Sequence, residues 1–219
     1  MPKDWVREQK RDFYYRKAKK EAYRSRASFK LLQAVEKNGF MKPGDVVVDL
    51  GAAPGGWLQI ARKIVGEKGF VLGVDTVQIE PLSYPNVYTI VADIRDLEIA
   101  RRARALLPRL ADVVISDVSP EVSGIWEVDH ARQIELAEHS LEIATSVLSE
   151  NGNFLVKVFQ GDMFSKFLSK VRRFFSTIKI IKPKASRKRS AEVYVLGLNF
   201  KGQRQRSSSA SITCSSGLL

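Results

Sequence analysis

Two features of this chain place reactive groups where they could do chemistry. The first is a loop. In VVDLGAAPGGW (47–57) an apolar run of strand length breaks into small residues and then opens a helix. Gly51, Gly55 and Gly56 allow backbone to approach a ligand closely, and the helix N-terminus offers free N–H donors. A dinucleotide fingerprint needs G-x-G-x-x-G, whereas Gly51-Ala52-Ala53-Pro54-Gly55-Gly56 has no glycine at the third position, which weakens a pyrophosphate reading. Asp75 closes VLGVD and suits ribose hydroxyls; Asp93 closes IVAD and suits an adenine amino group. Standing at consecutive strand ends over one crevice, they fit a nucleoside without phosphates. The second feature is Lys157, which interrupts FLVKVF, a run that reads as fully buried. A buried ammonium is costly unless it is paired or used. Asp117 ends the apolar run ADVVISD and Glu192 opens SAEVYVL, while Lys30, on an N-terminal helix, taken alone reads as a solvated charge.

Positioning these groups takes a sheet. Apolar runs of strand length recur at 46–50, 70–75, 87–93, 111–118, 153–159, 178–182 and 191–199, separated by segments of helical period. That rhythm predicts a parallel α/β sheet covered on both faces. Helices are predicted at 57–66 and at 130–149, the latter closed by Asn151-Gly152. SRASFKLLQAVEKNG (25–39) reads as another, started by Ser25 or Ser28 and ended by Gly39. Only KPKASRKRS (182–190) separates the last two runs, too short for a helical crossover, so one strand near the sheet edge is expected to be antiparallel.

Charge points to a polyanionic partner. The chain of 219 residues carries a net +12; residues 1–38 hold 12 Lys and Arg against 5 acids, a balance of +7, and residues 182–206 hold 8 against 1, again +7. A nearly neutral body with two basic ends suits nucleic acid, where neutralised phosphates release counterions. Phe13, Tyr14, Tyr15 and Tyr23 interleave with the first cluster and can stack on unpaired bases, so Lys17, Lys19, Lys20, Arg24 and Arg26 are the expected RNA-binding residues. The single cysteine, Cys214, forbids an internal disulfide, and His130 and His139 share one predicted helix without a third ligand. Both histidines are expected to be solvated and no metal is expected. No apolar run approaches the ~20 residues that span a bilayer and no segment resembles a signal peptide. The expectation is a cytoplasmic protein without a membrane partner. By domain, a basic N-terminal RNA-binding segment (1–38) precedes one catalytic domain (39–202) and a Ser-rich, low-complexity tail (203–219), expected to be disordered or appended.

The order Asp49-Leu-Gly51-Ala-Ala-Pro54-Gly55-Gly56-Trp57, followed by Asp75 and Asp93, resembles the S-adenosylmethionine site of the FtsJ/RrmJ family of ribose 2′-O-methyltransferases. The likeness runs from about Lys10 to Phe200 and takes in SRASFKL, SDVSP (116–120), FLVKVFQG (154–161) and SAEVYVL (190–196). It implies a class I methyltransferase fold, Rossmann-like, with seven strands, the last inserted antiparallel. It implies a cofactor site of Gly51, Pro54, Gly55, Gly56, Trp57, Asp75, Asp93 and Asp117. Lys30, Asp117, Lys157 and Glu192 match the family's Lys-Asp-Lys-Glu tetrad without departure, so the resemblance assigns them to one catalytic site. Members act on a uridine of large-subunit ribosomal RNA, on tRNA anticodon loops or on mRNA caps. A chain with little beyond the catalytic domain looks most like the ribosomal RNA group, acting as a monomer, with tRNA the alternative. A nicotinamide dehydrogenase and a catalytically silent RNA-binding module are the readings from other classes; the loop order and the missing acid/base histidine count against the first, the intact tetrad against the second.

Overall fold

A computed structural model describes residues 12–187 and 189–202; Cys214, the Ser-rich tail and residues 1–11 of the basic segment lie outside them. The elements in chain order are α1 (Phe13–Lys20), α2 (Ser28–Asn38), β1 (Val46–Leu50), α3 (Gly56–Val65), β2 (Phe70–Asp75), β3 (Val87–Val91), α4 (Ile99–Leu106), β4 (Ala111–Ser116), α5 (Trp126–Val147), β5 (Leu148–Phe159), α6 (Phe164–Phe174), β6 (Phe175–Ile181) and β7 (Glu192–Phe200).

The strands form one seven-stranded sheet in the order β3-β2-β1-β4-β5-β7-β6. Neighbours from β3 to β5 run parallel, and β7 is antiparallel to both β5 and β6. The class I methyltransferase architecture is therefore present, its antiparallel strand one place in from the edge. From β1 the chain winds outward through β2 and β3, then returns to add β4 on the other side. The carboxyl ends of β1 and β4 thus flank the crevice where doubly wound sheets hold ligands.

Side-chain alternation sorts the core into two layers. On one face Val47, Val71, Ile115, Leu155 and Tyr194 pack beneath Leu31 of α2 and Leu58 and Ile60 of α3. On the other, Val48, Leu72, Val114, Val156 and Val195 pack beneath Ile99 of α4, Ile134 and Leu141 of α5, and Val171 of α6. Residues 28–38, grouped by charge with the basic N-terminus, share the catalytic domain's core through α2. Ala18 of α1 joins them in a small cluster with Phe29 and Ala185.

Three local expectations need correcting. Neither serine caps α2 through its side chain; Ser28 is its first residue and its hydroxyl donates instead to the Gly56 carbonyl at 3.0 Å. Gly39 does close the helix, left-handed at φ 62° with its N–H on the Val35 carbonyl. Asn151-Gly152 does not end α5, which stops at Val147. The pair lies in a bulge of β5, where pairing steps from Ala111 with Leu148 to Val113 with Asn153, and Asn151 takes φ 64° to make room. His130 is not solvated: with Gln133, Ile134, Ala137 and Leu141 it forms the inward stripe of α5 and is 4% exposed. His139 keeps a half-open position, its Nδ1 3.6 Å from the Glu142 carboxylate.

Candidate active site

The crevice at the strand ends is a cleft of about 770 Å³, a size suited to a small molecule, lined among others by Gly51, Asp75, Asp93, Asp117 and Val118. Gly51, at φ 75°, follows β1 and faces Val118, just beyond β4. A Cβ there would stand 2.6 Å from Val118 Cγ2 and 3.0 Å from its backbone, so only glycine fits the passage. Asp75 is held by the loop it faces: its carboxylate accepts from Ala53 N–H at 2.8 Å and Val77 N–H at 3.0 Å. Asp93 lies open on the rim, gripped by Arg95 through contacts of 2.6–3.1 Å. Hydrogen bonds from the Arg95 side chain and backbone hold its carboxyl down at about 2.

Lys30, Asp117, Lys157 and Glu192, scattered over four elements and loops, come together as two ion pairs. Lys157, 5% exposed, places Nζ 2.7 Å from the Asp117 carbonyl oxygen and 3.3 Å from its carboxylate. Lys30 reaches both Glu192 carboxylate oxygens, at 2.7 and 2.8 Å, and Ser186 Oγ donates to the same group at 2.9 Å. Rather than standing free in solvent, Lys30 is partly buried and paired. Strand pairing sets this up: Lys157 stands opposite Tyr194, and Phe159 opposite Glu192. Burial alone would push the Asp117 carboxyl up; the charges of Lys157 and Lys30 and donation by Tyr194 and Lys157 outweigh it and hold the group below the usual carboxylate range. Glu192 and Lys30 also line a second, smaller pocket of about 260 Å³ with Arg26 and Arg187. The tetrad thus touches two openings: Asp117 lines the larger cleft, Lys30 and Glu192 the basic pocket.

Other expected residues have structural employment. Pro54, Gly55, Gly56 and Trp57 do not line the cleft. The space above Gly55 belongs to Arg24, 2.9 Å from an added Cβ, and that above Gly56 to Ser25 and Ser28, whose hydroxyls would stand 2.3 Å and 2.7 Å from one. Trp57 is buried, its indole N–H on the Ala27 carbonyl at 2.8 Å. Arg24 spends its guanidinium on the carbonyls of Pro54, Glu80 and Pro81, clamping the loop. Arg26 pairs with Asp12 and faces the basic pocket; burial, then the charge of Arg187, pulls its guanidinium below the usual value. Lys17 and Lys19 rest over the rings of Phe29 and Tyr15. With Lys20 they form the basic last turn of α1.

Two site residues lie inside the quoted motifs without being singled out by them. Tyr194 is the hinge of the tetrad: its hydroxyl donates to Asp117 Oδ1 at 2.7 Å, and Lys30 Nζ lies 5.8 Å above its ring. Burial, reinforced by Asp117 and Glu192, pushes that hydroxyl far up, so it remains a donor. Asp49 is fully buried with no hydrogen-bond partner on either oxygen. An acid inside the apolar run VVVDL is the same signal that singles out Lys157. Burial, then Asp117 and Asp75, pushes the Asp49 carboxyl well up. A carboxyl raised on folding loses stability as pH climbs from the unfolded value of about 3.9 to its folded one, at about 1.4 kcal/mol per unit. Without ligand, Asp49→Asn should therefore unfold at higher temperature than wild type at neutral pH, with the advantage vanishing below about pH 4. Thermal denaturation across pH reads this; an advantage independent of pH would contradict it.

The geometry has counterparts. The sequence model of the FtsJ-like methyltransferases matches residues 23–200. The ribosomal RNA large subunit methyltransferase E of Methanocaldococcus jannaschii is 52% identical over 205 residues, covering 92% of this chain and 84% of that protein. The protein of the same name from Methanosarcina acetivorans is 54% identical over 192 residues, 87% of this chain and 69% of that one. Among solved structures, a candidate ribosomal RNA methyltransferase from Plasmodium falciparum superposes with a TM-score of 0.73 at 25% identity, covering 83% of this chain and 100% of that one. The Methanococcus jannaschii fibrillarin pre-rRNA processing protein, at 16% identity and a TM-score of 0.58 over 81% of this chain and 77% of its own, shares the fold. The matched span runs from the approach to α2, which brings Lys30, to the end of β7, which brings Glu192, and so contains the whole tetrad: the chain belongs to the FtsJ-like methyltransferase family.

Proposed function

We propose that the protein transfers a methyl group from S-adenosylmethionine to the 2′-hydroxyl of a ribose in RNA, and that its substrate is a uridine of large-subunit ribosomal RNA. The carrying observation is the buried Lys157–Asp117 pair, whose Asp117 lines the cleft. The cleft fits the donor by its own chemistry: carboxylates at two strand ends for the ribose and the adenine amino group, a Gly51 cradle that a Cβ would close, and the unpartnered buried carboxyl of Asp49 beneath. The ribosomal substrate is supported by what the related proteins are named for.

The donor supplies an electrophilic methyl on a sulfonium. The chain's part is orientation, charge and one proton. With the donor bound, the 2′-oxygen would take the methyl carbon from sulfur, and Lys157 Nζ, having first released a proton of its own to solvent, would hold the proton that the hydroxyl loses. Asp117 orients that amine through its carbonyl and carboxylate. Lys30 and Glu192 hold the ribose at the mouth of the basic pocket, where Arg26 and Arg187 face the backbone phosphate. No metal takes part in this scheme.

Incubation with labelled donor and, separately, large ribosomal subunits, free ribosomal RNA and tRNA, followed by mapping of the labelled nucleotide, tests the reading; label on a base, or on tRNA alone, overturns it. Asp75→Ala should weaken donor binding by about 1–3 kcal/mol in calorimetry. Unchanged affinity, or tighter binding of NAD than of S-adenosylmethionine, would remove the donor from the cleft. Charge reversal at Lys17, Lys19 and Lys20 should weaken RNA binding and flatten its salt dependence without touching donor affinity; equal salt slopes would make α1 a solvating element only.

A further inference from the structure

Beside the tetrad lies an aromatic ledge that neither the mechanism nor the core uses. Trp126, the first residue of α5, is 44% exposed. Its indole stacks nearly parallel on two rings, His130 at 5.6 Å and 14° and Phe159 at 6.2 Å and 21°. His130 is buried and fixed, its Nε2 accepting from Met163 N–H at 3.2 Å. Phe159 is the last residue of the strand that carries Lys157 and stands opposite Glu192. Ile125 (58%), its neighbour in the chain, and Met163 (38%), whose N–H donates to His130, are exposed as well.

The ledge is built, not left over. Asp129 accepts from Ser123 N–H and Oγ at 2.7 Å each and from Gly124 N–H at 3.1 Å, locking the loop that delivers Trp126. Asp129 is itself held below the usual carboxylate range by the Ser123 backbone and hydroxyl. A rigid, half-open indole on a stacked support is the platform on which an unpaired base lies flat. Its position selects the occupant. Phe159 pairs across the sheet with Glu192, and Glu192 lines the pocket of Arg26, Lys30 and Arg187, so the aromatic ledge and the cationic pocket meet at that strand pair. A nucleotide chain matches that pairing of phosphate and base sites.

Resting on the RNA reading above, we infer that Trp126, backed by His130 and Phe159, stacks an unpaired nucleobase of the substrate next to the methylated ribose, and that this contact sets which nucleotide is presented to Lys157. The full chain is titrated with a 12-nucleotide oligouridylate and with the same strand carrying abasic sites, for wild type, Trp126→Ala and Trp126→Phe. Wild type should prefer the base-bearing strand by about 10-fold, the order of one stacked base. Trp126→Ala should bind both strands equally, with donor affinity and the salt slope unchanged, because stacking releases no counterions. Trp126→Phe should keep most of the preference. If the Ala variant loses donor binding as well, Trp126→Leu, which keeps apolar bulk without a π-face, decides: equal binding of both strands with donor binding intact supports the ledge, and a preference equal to wild type overturns it. A Trp126→Ala protein that still discriminates, or a wild type that never did, overturns the inference. So does a variant defective on assembled subunits alone with unaltered RNA binding, which would assign the ledge to a protein contact. Failure of wild type to methylate any RNA would instead strike the functional reading, a separate measurement from the stacking preference.

Discussion

Lys157→Ala should bind donor and RNA about as well as wild type, while its single-turnover rate falls by roughly 100-fold or more, the range usual for general acid–base groups. Binding should survive because Lys157 contributes little surface to either opening; it is 5% exposed and points its amine at Asp117. The informative partner is Lys157→Arg. Guanidinium keeps the positive charge beside Asp117 but scarcely deprotonates, so a proton-accepting role predicts poor rescue. Near-normal turnover of the Arg variant at saturating donor and RNA would reduce Lys157 to an electrostatic anchor. Lost donor binding in the Ala variant would make it structural.

Much of this site was legible because the signals were local violations of a global pattern. A lysine in FLVKVF breaks the apolar run that a buried parallel strand requires, and the structure pairs it. Asp75 and Asp93 were visible as acids at strand ends, and both line the cleft. The short link between the last two runs forced an antiparallel strand, and β7 is that strand. What stayed hidden depends on contacts between segments distant in sequence. Lys30 looks like a surface charge on α2 until β7 brings Glu192 to it across 162 positions. The glycines at 55 and 56 invite a ligand reading, yet Arg24, Ser25 and Ser28 occupy the space a side chain would need. Tyr194 reads as an ordinary β-strand aromatic, and only the register with Lys157 gives its hydroxyl a carboxylate to meet. His130 looked like a polar helix residue because a lone imidazole carries no sign of which way it faces; the stripe of Gln133, Ile134 and Ala137 turns it inward.

Asp117→Ala should be the most destabilising change in the tetrad. It leaves the buried Lys157 amine with a carbonyl but no counter-charge, and takes the acceptor from Tyr194. Breaking a buried pair from one side costs about 3–5 kcal/mol. For a domain near this size that is a fall of roughly 6–20 °C in midpoint. The sign with pH follows from the depressed carboxyl: the pair's contribution is complete above the unfolded value of about 3.9 and disappears as pH falls through the folded one, so the gap between variant and wild type should close in acid. Removing the stranded amine too should restore stability without activity. Asp117→Ala combined with Lys157→Met should recover most of the lost midpoint, since an apolar pair in that volume carries no desolvation penalty. Asp49 supplies an internal check. Part of what raises its carboxyl is the charge of Asp117, so the stabilisation expected of Asp49→Asn should shrink when Asp117 is already alanine. Strict additivity of the two would mean that Asp117 adds nothing to what burial and Asp75 do to Asp49.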